Sequence, residues 1–197
     1  MCNNYVFRPP DDRLFSHLKL GGDLSYPFGK PNLEPTDVRI GDRAPVVTRH
    51  DEAMALMMVP WAWKSPQGRP VFNFRSEGRD FSGNQRCLIP ASGFYEFTDA
   101  MPGEKRKTKW LFEMPEHPDF WIAGIIKQDA FSMLTCAPGP DIQPYHDRQV
   151  VLLEPDRGLD WLDLRRPAED LLSPATVGSL TVKRVWPPDS TEGGLLV

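Results

Sequence analysis

The residue with the most chemistry to offer is Cys2, which directly follows Met1. Loss of Met1 gives Cys2 a free α-amine on the carbon next to the one that bears its thiol. The unperturbed amine titrates near about 7.7–8 and the thiol near about 8.5, so both have a reactive fraction at neutral pH. Such a 1,2-aminothiol can do what no internal cysteine can. The amine condenses with an aldehyde to an imine, the sulfur adds to the imine carbon, and a five-membered thiazolidine closes. The same group can also act as a thiol nucleophile with its own amine as base. The plain alternative is a small residue at the start of a strand.

Two further groups, Glu96 and His146, sit where acid–base work needs them, and Asn73 and Arg75 could position a substrate. Glu96 lies in Gly93-Phe94-Tyr95-Glu96-Phe97. With strand period 2 it shares a face with Phe94, so it points inward and desolvation raises its pKa. An outward-facing edge glutamate is the other reading. His146 lies between Tyr145 and Asp147-Arg148, just ahead of the apolar run Val150 to Leu153. An imidazole at a strand mouth between a carboxylate and a guanidinium is an acid–base candidate, or a hydrogen-bonded loop histidine. His17, His50 and His117 lie in a helix and in polar turns. Asn73 and Arg75 share one face of a strand; the amide both donates and accepts, and the guanidinium clamps phosphate.

Pro60-Trp61-Ala62-Trp63 supplies aromatic surfaces, either for stacking on unpaired bases or for packing. Cys87 and Cys136 lie in apolar strands and are expected as small buried hydrophobes. No CxxC and no paired histidine spacing is present, so no metal site is expected.

The elements that position these groups are mostly short strands. Apolar or alternating runs occur at 1–8, 44–48, 53–59, 71–75, 85–89, 93–97, 110–113, 120–126, 131–137, 149–153 and 180–186, divided by turn residues. A short amphipathic helix is expected over 11–20, and a second over 157–172, broken at Pro167. The stretch 100–109, AMPGEKRKTK, reads as a polar hairpin tip, and 26–36 as a Pro-rich loop. Twenty-one prolines in 197 residues fit many turns and few long helices. The fold class expected is α+β, mainly antiparallel β, as one domain over 1–186 with a tail at 187–197.

Net charge is −4, from 23 Lys and Arg against 27 Asp and Glu. That balance counts against a protein that coats duplex DNA, though not against a local basic groove. No apolar run is long enough for a membrane helix, and no signal peptide is recognisable. A cytoplasmic protein with reduced thiols and no membrane partner is expected, and nothing demands an oligomer, so a monomer is expected.

Taken in order, Met1-Cys2, Asn73-x-Arg75-x-Glu77, the block Cys87 to Glu96 (CLIPASGFYE) and His146-Asp147-Arg148 resemble the SRAP family, the SOS response-associated peptidases or abasic-site processing proteins. Pro31 to Pro35 and the Trp61–Trp63 segment resemble further family segments. The resemblance spans residues 2–186 and implies a protein that binds single-stranded DNA and captures abasic sites covalently. It implies Cys2 as the nucleophile and Asn73 as the group that positions cysteine and sugar. It further implies Glu96 and His146 in ring opening and proton transfer, and Arg75 and Arg148 on the DNA backbone. No cofactor is implied. The family usually begins Cys-Gly-Arg-Phe, whereas this chain has Cys2-Asn3-Asn4-Tyr5, which removes one phosphate contact. Two other readings use the same residues: a thiol peptidase or autopeptidase with Cys2 as nucleophile, and a non-catalytic relative serving as an interaction module.

Overall fold

A computed structural model describes residues 2–9, 15, 23–51 and 53–188. Two sheets dominate it. The smaller has five strands, in the order Thr181–Trp186, Thr108–Glu113, Gly93–Thr98, Asn4–Phe7 and Thr36–Arg39. The pairings described within it are antiparallel. The larger runs Gln149–Val150, Ala130–Cys136, Phe120–Lys127, Gln85–Ala91, Arg43–His50, Ala53–Pro60 and Leu24–Ser25. Two strands join it off this path: Leu152–Leu153 pairs with Phe120–Lys127, and Asn73–Arg75 runs parallel to Ala130–Cys136. The expected α+β architecture, mainly antiparallel with few short helices, is what the chain adopts.

The larger sheet is buried on both faces, which explains its nearly unbroken apolar strands. Successive residues alternate between two cores. Val46, Cys87, Ile89, Ile122, Phe131 and Met133 face the smaller sheet, where they meet Cys2, Tyr5, Phe7, Phe94 and Phe112. Val47, Leu88, Ala123, Ile125 and Leu134 face the other way, where Leu159, Trp161 and Leu162 of the helix Gly158–Asp163 cover them. The Trp161 indole N–H is shared between the carbonyls of Cys87 and Gly124, at 3.1 and 3.3 Å. Gly124 is required there: an added Cβ would lie 2.7 Å from Ile89 Cδ1 and 2.9 Å from the Ser132 carbonyl.

Most expected strands form within a residue or two of their expected ends. The polar stretch 100–109 does carry the turn between Gly93–Thr98 and Thr108–Glu113. The expected helix over 157–172 is a 3-10 turn Pro155–Arg157, the helix Gly158–Asp163 and a short helix Ala168–Leu171, divided around Pro167. The helix expected over 11–20 lies outside the described residues, apart from Phe15. So does the tail beyond Pro188. Thr36–Arg39 was not legible as a strand, because only Val38 of its four residues is buried. Among the described residues no helix is long and apolar enough to cross a membrane.

Candidate active site

The site lies where the N-terminal segment enters the core between the two sheets. Cys2 is 1% exposed. Its thiol donates to the Asn4 carbonyl at 3.3 Å. Burial, then the nearby Glu96 charge, push that thiol well above the ordinary cysteine range. From the strand Asn73–Arg75, Asn73 Nδ2 donates to the Cys2 carbonyl at 2.7 Å. The buried Asn73 Oδ1 makes no hydrogen bond to any described group, so an acceptor stays available beside Cys2.

Glu96 comes from the middle of Gly93–Thr98 and is fully buried, as alternation with Phe94 implies. The nearby Cys2 backbone N–H favours the ionised carboxylate. Burial nonetheless prevails and pushes the carboxyl up to about 7. At neutral pH Glu96 is therefore poised between proton donor and acceptor. His146 approaches from the loop before Gln149–Val150, with Nε2 4.0 Å from Glu96 Oε2. The Arg148 backbone N–H donates to His146 Nδ1 at 3.0 Å. An accepting Nδ1 leaves the ring proton on Nε2, the side that faces Glu96. Asp147, almost fully exposed, lies 2.9 Å from Nδ1 and competes for it only when the ring is protonated. Burial, first among the causes, holds the imidazole below its ordinary pKa, so the neutral ring prevails at neutral pH. Cys2, Asn73, Glu96 and His146, picked from four separate stretches of sequence, thus meet at one point.

A protein-family model for SOS response associated peptidase (SRAP) matches residues 1–187. The chain belongs to the SRAP family. Among curated relatives, abasic site processing protein YoaM of Bacillus subtilis is 26% identical over 132 residues, covering 59% of this chain and 57% of the relative. Abasic site processing protein YoqW of the same organism is 26% identical, covering 59% and 58%. The matched segment thus spans little more than half the length of these relatives. Solved structures share the fold. A protein from Bordetella bronchiseptica superposes with a TM-score of 0.68 at 21% identity, covering 93% of this chain and 99% of its own. A phage-related protein from the same organism gives 0.67 at 21% identity, covering 94% of each chain. A protein from Bacteroides thetaiotaomicron gives 0.65 at 16% identity, covering 93% and 91%.

The remaining residues singled out in this SRAP chain fall into different surroundings. Arg75 is exposed on the strand that carries Asn73. Arg148 is engaged: both its terminal nitrogens pair with the Glu77 carboxylate, and Nη2 also donates to the Thr135 carbonyl at 2.8 Å. That pairing holds Glu77 below the ordinary carboxylate range and raises Arg148. Trp61 and Trp63, expected as possible stacking surfaces, are buried at 0% and 5% exposure. Trp61 donates its indole N–H to the Phe72 carbonyl at 2.9 Å and stacks on Phe131, while Trp63 packs on Phe74. Neither presents a ring face to solvent. Cys87 and Cys136 are buried free thiols, as expected of small hydrophobes.

Two residues of the hairpin that carries Glu96 escaped the sequence. Lys109 Nζ donates to Asn4 Oδ1 at 2.9 Å and lies 3.5 Å from the centre of the Tyr95 ring. Lys109 adjoins Trp110 in the strand, so it lies on the Tyr95 face of the sheet, opposite to the face of Glu96. Trp110 lies directly opposite Glu96 across the hairpin. The expected tip at 100–109 took in Lys109 itself, whereas the observed register pairs Thr98 with Thr108 and so sets Trp110 opposite Glu96.

Proposed function

We propose that this protein binds single-stranded DNA and captures abasic sites covalently, as a thiazolidine formed by Cys2 after Met1 is removed. The observation that carries the reading is the meeting of Cys2, held through its carbonyl by Asn73, with the buried Glu96 and the His146 ring 4.0 Å from it. Once Met1 is gone, the Cys2 nitrogen is the reactive amine, and the acid it needs is already beside it. The two Bacillus relatives, both abasic site processing proteins by name, support the same substrate.

The steps follow from the residues present. Glu96 in its acid form, with His146 behind it, assists opening of the deoxyribose ring to the aldehyde. The Cys2 amine adds to the aldehyde carbon to give a carbinolamine. Glu96 donates a proton to the departing hydroxyl, water leaves, and an imine remains. The Cys2 sulfur then bonds to the imine carbon while its proton passes to the nitrogen, closing the ring. The overall balance is loss of one water. Amine attack comes first because burial keeps the thiol protonated. The same effect disfavours a thiolate peptidase, which would need the pKa depressed. Asn73 fixes the Cys2 carbonyl and so the direction of the amine. Arg75 supplies a cation for phosphate.

The test is incubation with a single-stranded oligonucleotide carrying one abasic site, read on a denaturing gel. The wild type gives a heat-stable, one-to-one shifted band and Cys2→Ala gives none. A heat-stable band from Cys2→Ala would overturn the proposal.

A further inference from the structure

The captured sugar needs a neighbour to be held by, and the structure offers one surface for it. Glu96 lies opposite Trp110, and Trp110 opposite Arg184 just beside a register shift, so the three form one row on the same sheet face. The Arg184 guanidinium is already engaged there, with Nη1 donating to Met101 Sδ at 3.3 Å. Strands lie about 4.8 Å apart, which places Trp110 about 5 Å and Arg184 about 10 Å from Glu96 along the row. Of the six tryptophans, Trp61, Trp63, Trp121 and Trp161 are buried. Trp186 lies under the Arg106 guanidinium, 5.5 Å from its ring centre. Trp110 alone is partly exposed beside the reactive centre. Its ring is held from two sides: the indole N–H donates to Thr98 Oγ1 at 2.9 Å, and Tyr145 packs edge-on at 4.9 Å. Tyr145 precedes His146, so the loop that brings the imidazole also braces the indole.

We propose that Trp110 and Arg184 form a subsite for the unpaired nucleotide next to the abasic sugar, with its base on the indole and its phosphate on the guanidinium. This rests on the single-stranded DNA reading above. An aromatic face accepts any base, so the subsite is tolerant of sequence. Because the ring is already fixed, little side-chain freedom is lost on binding. The order acid, indole, guanidinium gives the strand a direction across the sheet, so the two flanks of the lesion are not equivalent.

The test uses an oligonucleotide with a tetrahydrofuran abasic analogue, which has no aldehyde and cannot crosslink, flanked on one side or the other by 2-aminopurine. Wild type is expected to quench the fluorescence from one flank only. Trp110→Leu is expected to lose the quenching and bind roughly 10-fold more weakly, while Trp110→Phe keeps most of both. Arg184→Ala keeps the quenching and lowers the salt slope of binding by about one phosphate. Equal quenching by wild type and Trp110→Leu overturns the subsite, as does a loss in Trp110→Phe as large as in Trp110→Leu. Crosslinking of authentic abasic DNA without flank-specific quenching also overturns it and leaves the capture reading standing. Quenching without crosslinking supports the subsite and overturns the capture. Absence of any binding to the analogue at low salt overturns both.

Discussion

Asn73 Nδ2 reaches the Cys2 carbonyl across 2.7 Å, tying the strand Asn73–Arg75 to a residue 71 positions earlier. One amide thereby sets the direction in which the N-terminal nitrogen faces. Asn73→Ala is expected to slow crosslinking about 10- to 100-fold, since a small misplacement of reacting groups costs that much. The cost in stability should be about 1 kcal/mol, the worth of one hydrogen bond. Single-turnover crosslinking and urea unfolding together check this. A variant that crosslinks at the wild-type rate contradicts a positioning role.

Glu96 makes stability depend on pH in a defined window. Its folded pKa, about 7, lies above the ordinary value of 4.5. A carboxyl raised in this way binds its proton more tightly when folded. Its contribution is complete below about 4.5 and is lost as pH rises through about 7. The loss amounts to at most about 3 kcal/mol. Glu96→Gln should therefore match wild type in urea near pH 5 and exceed it at pH 8. Equal slopes of stability against pH in the two proteins would show that Glu96 is not desolvated.

The crosslinking rate should be bell-shaped in pH. It needs the acid form of Glu96, which declines above about 7, and the free amine of Cys2, which declines below about 8. The maximum is expected between these values. In Glu96→Gln the falling alkaline limb should disappear along with most of the rate. An unchanged alkaline limb in that variant would assign the acid role elsewhere.

Arg148 is held by Glu77, so a phosphate has to compete with a carboxylate for it. Glu77→Gln weakens that competitor while keeping its shape. Binding to single-stranded DNA should tighten several-fold, and the salt slope should rise by about one phosphate. Titrations at three salt concentrations measure both. An unchanged slope would mean that Arg148 serves only to anchor the loop that carries His146.

The site was more legible in the sequence than its surroundings. Cys2 and Glu96 announce themselves through local signals: one by its place after Met1, the other by alternation with Phe94. Trp61 and Trp63 did not reveal their burial, because two tryptophans around an alanine look alike in a groove and in a core. Ala62 takes a positive φ of 89°, and that turn sends Trp61 beneath the Phe72 carbonyl. The parallel pairing of Asn73–Arg75 with Ala130–Cys136 joins segments about 60 residues apart and leaves no local trace. The same holds for Arg148 and Glu77, whose pairing is a property of the folded chain alone. Local periodicity thus marks strands and faces, whereas long-range partners decide which charges and rings stay free.

The most direct measurement is the intact mass of the adduct with a single-stranded oligonucleotide bearing one abasic site, made without any reducing agent. The expected mass is that of the protein lacking Met1, plus the DNA, minus one water, and it survives heating. Cys2→Ser keeps the amine but lacks the sulfur, so its adduct should persist only after borohydride reduction. A wild-type adduct that retains Met1, or one that needs reduction to survive, would contradict capture by the Cys2 aminothiol.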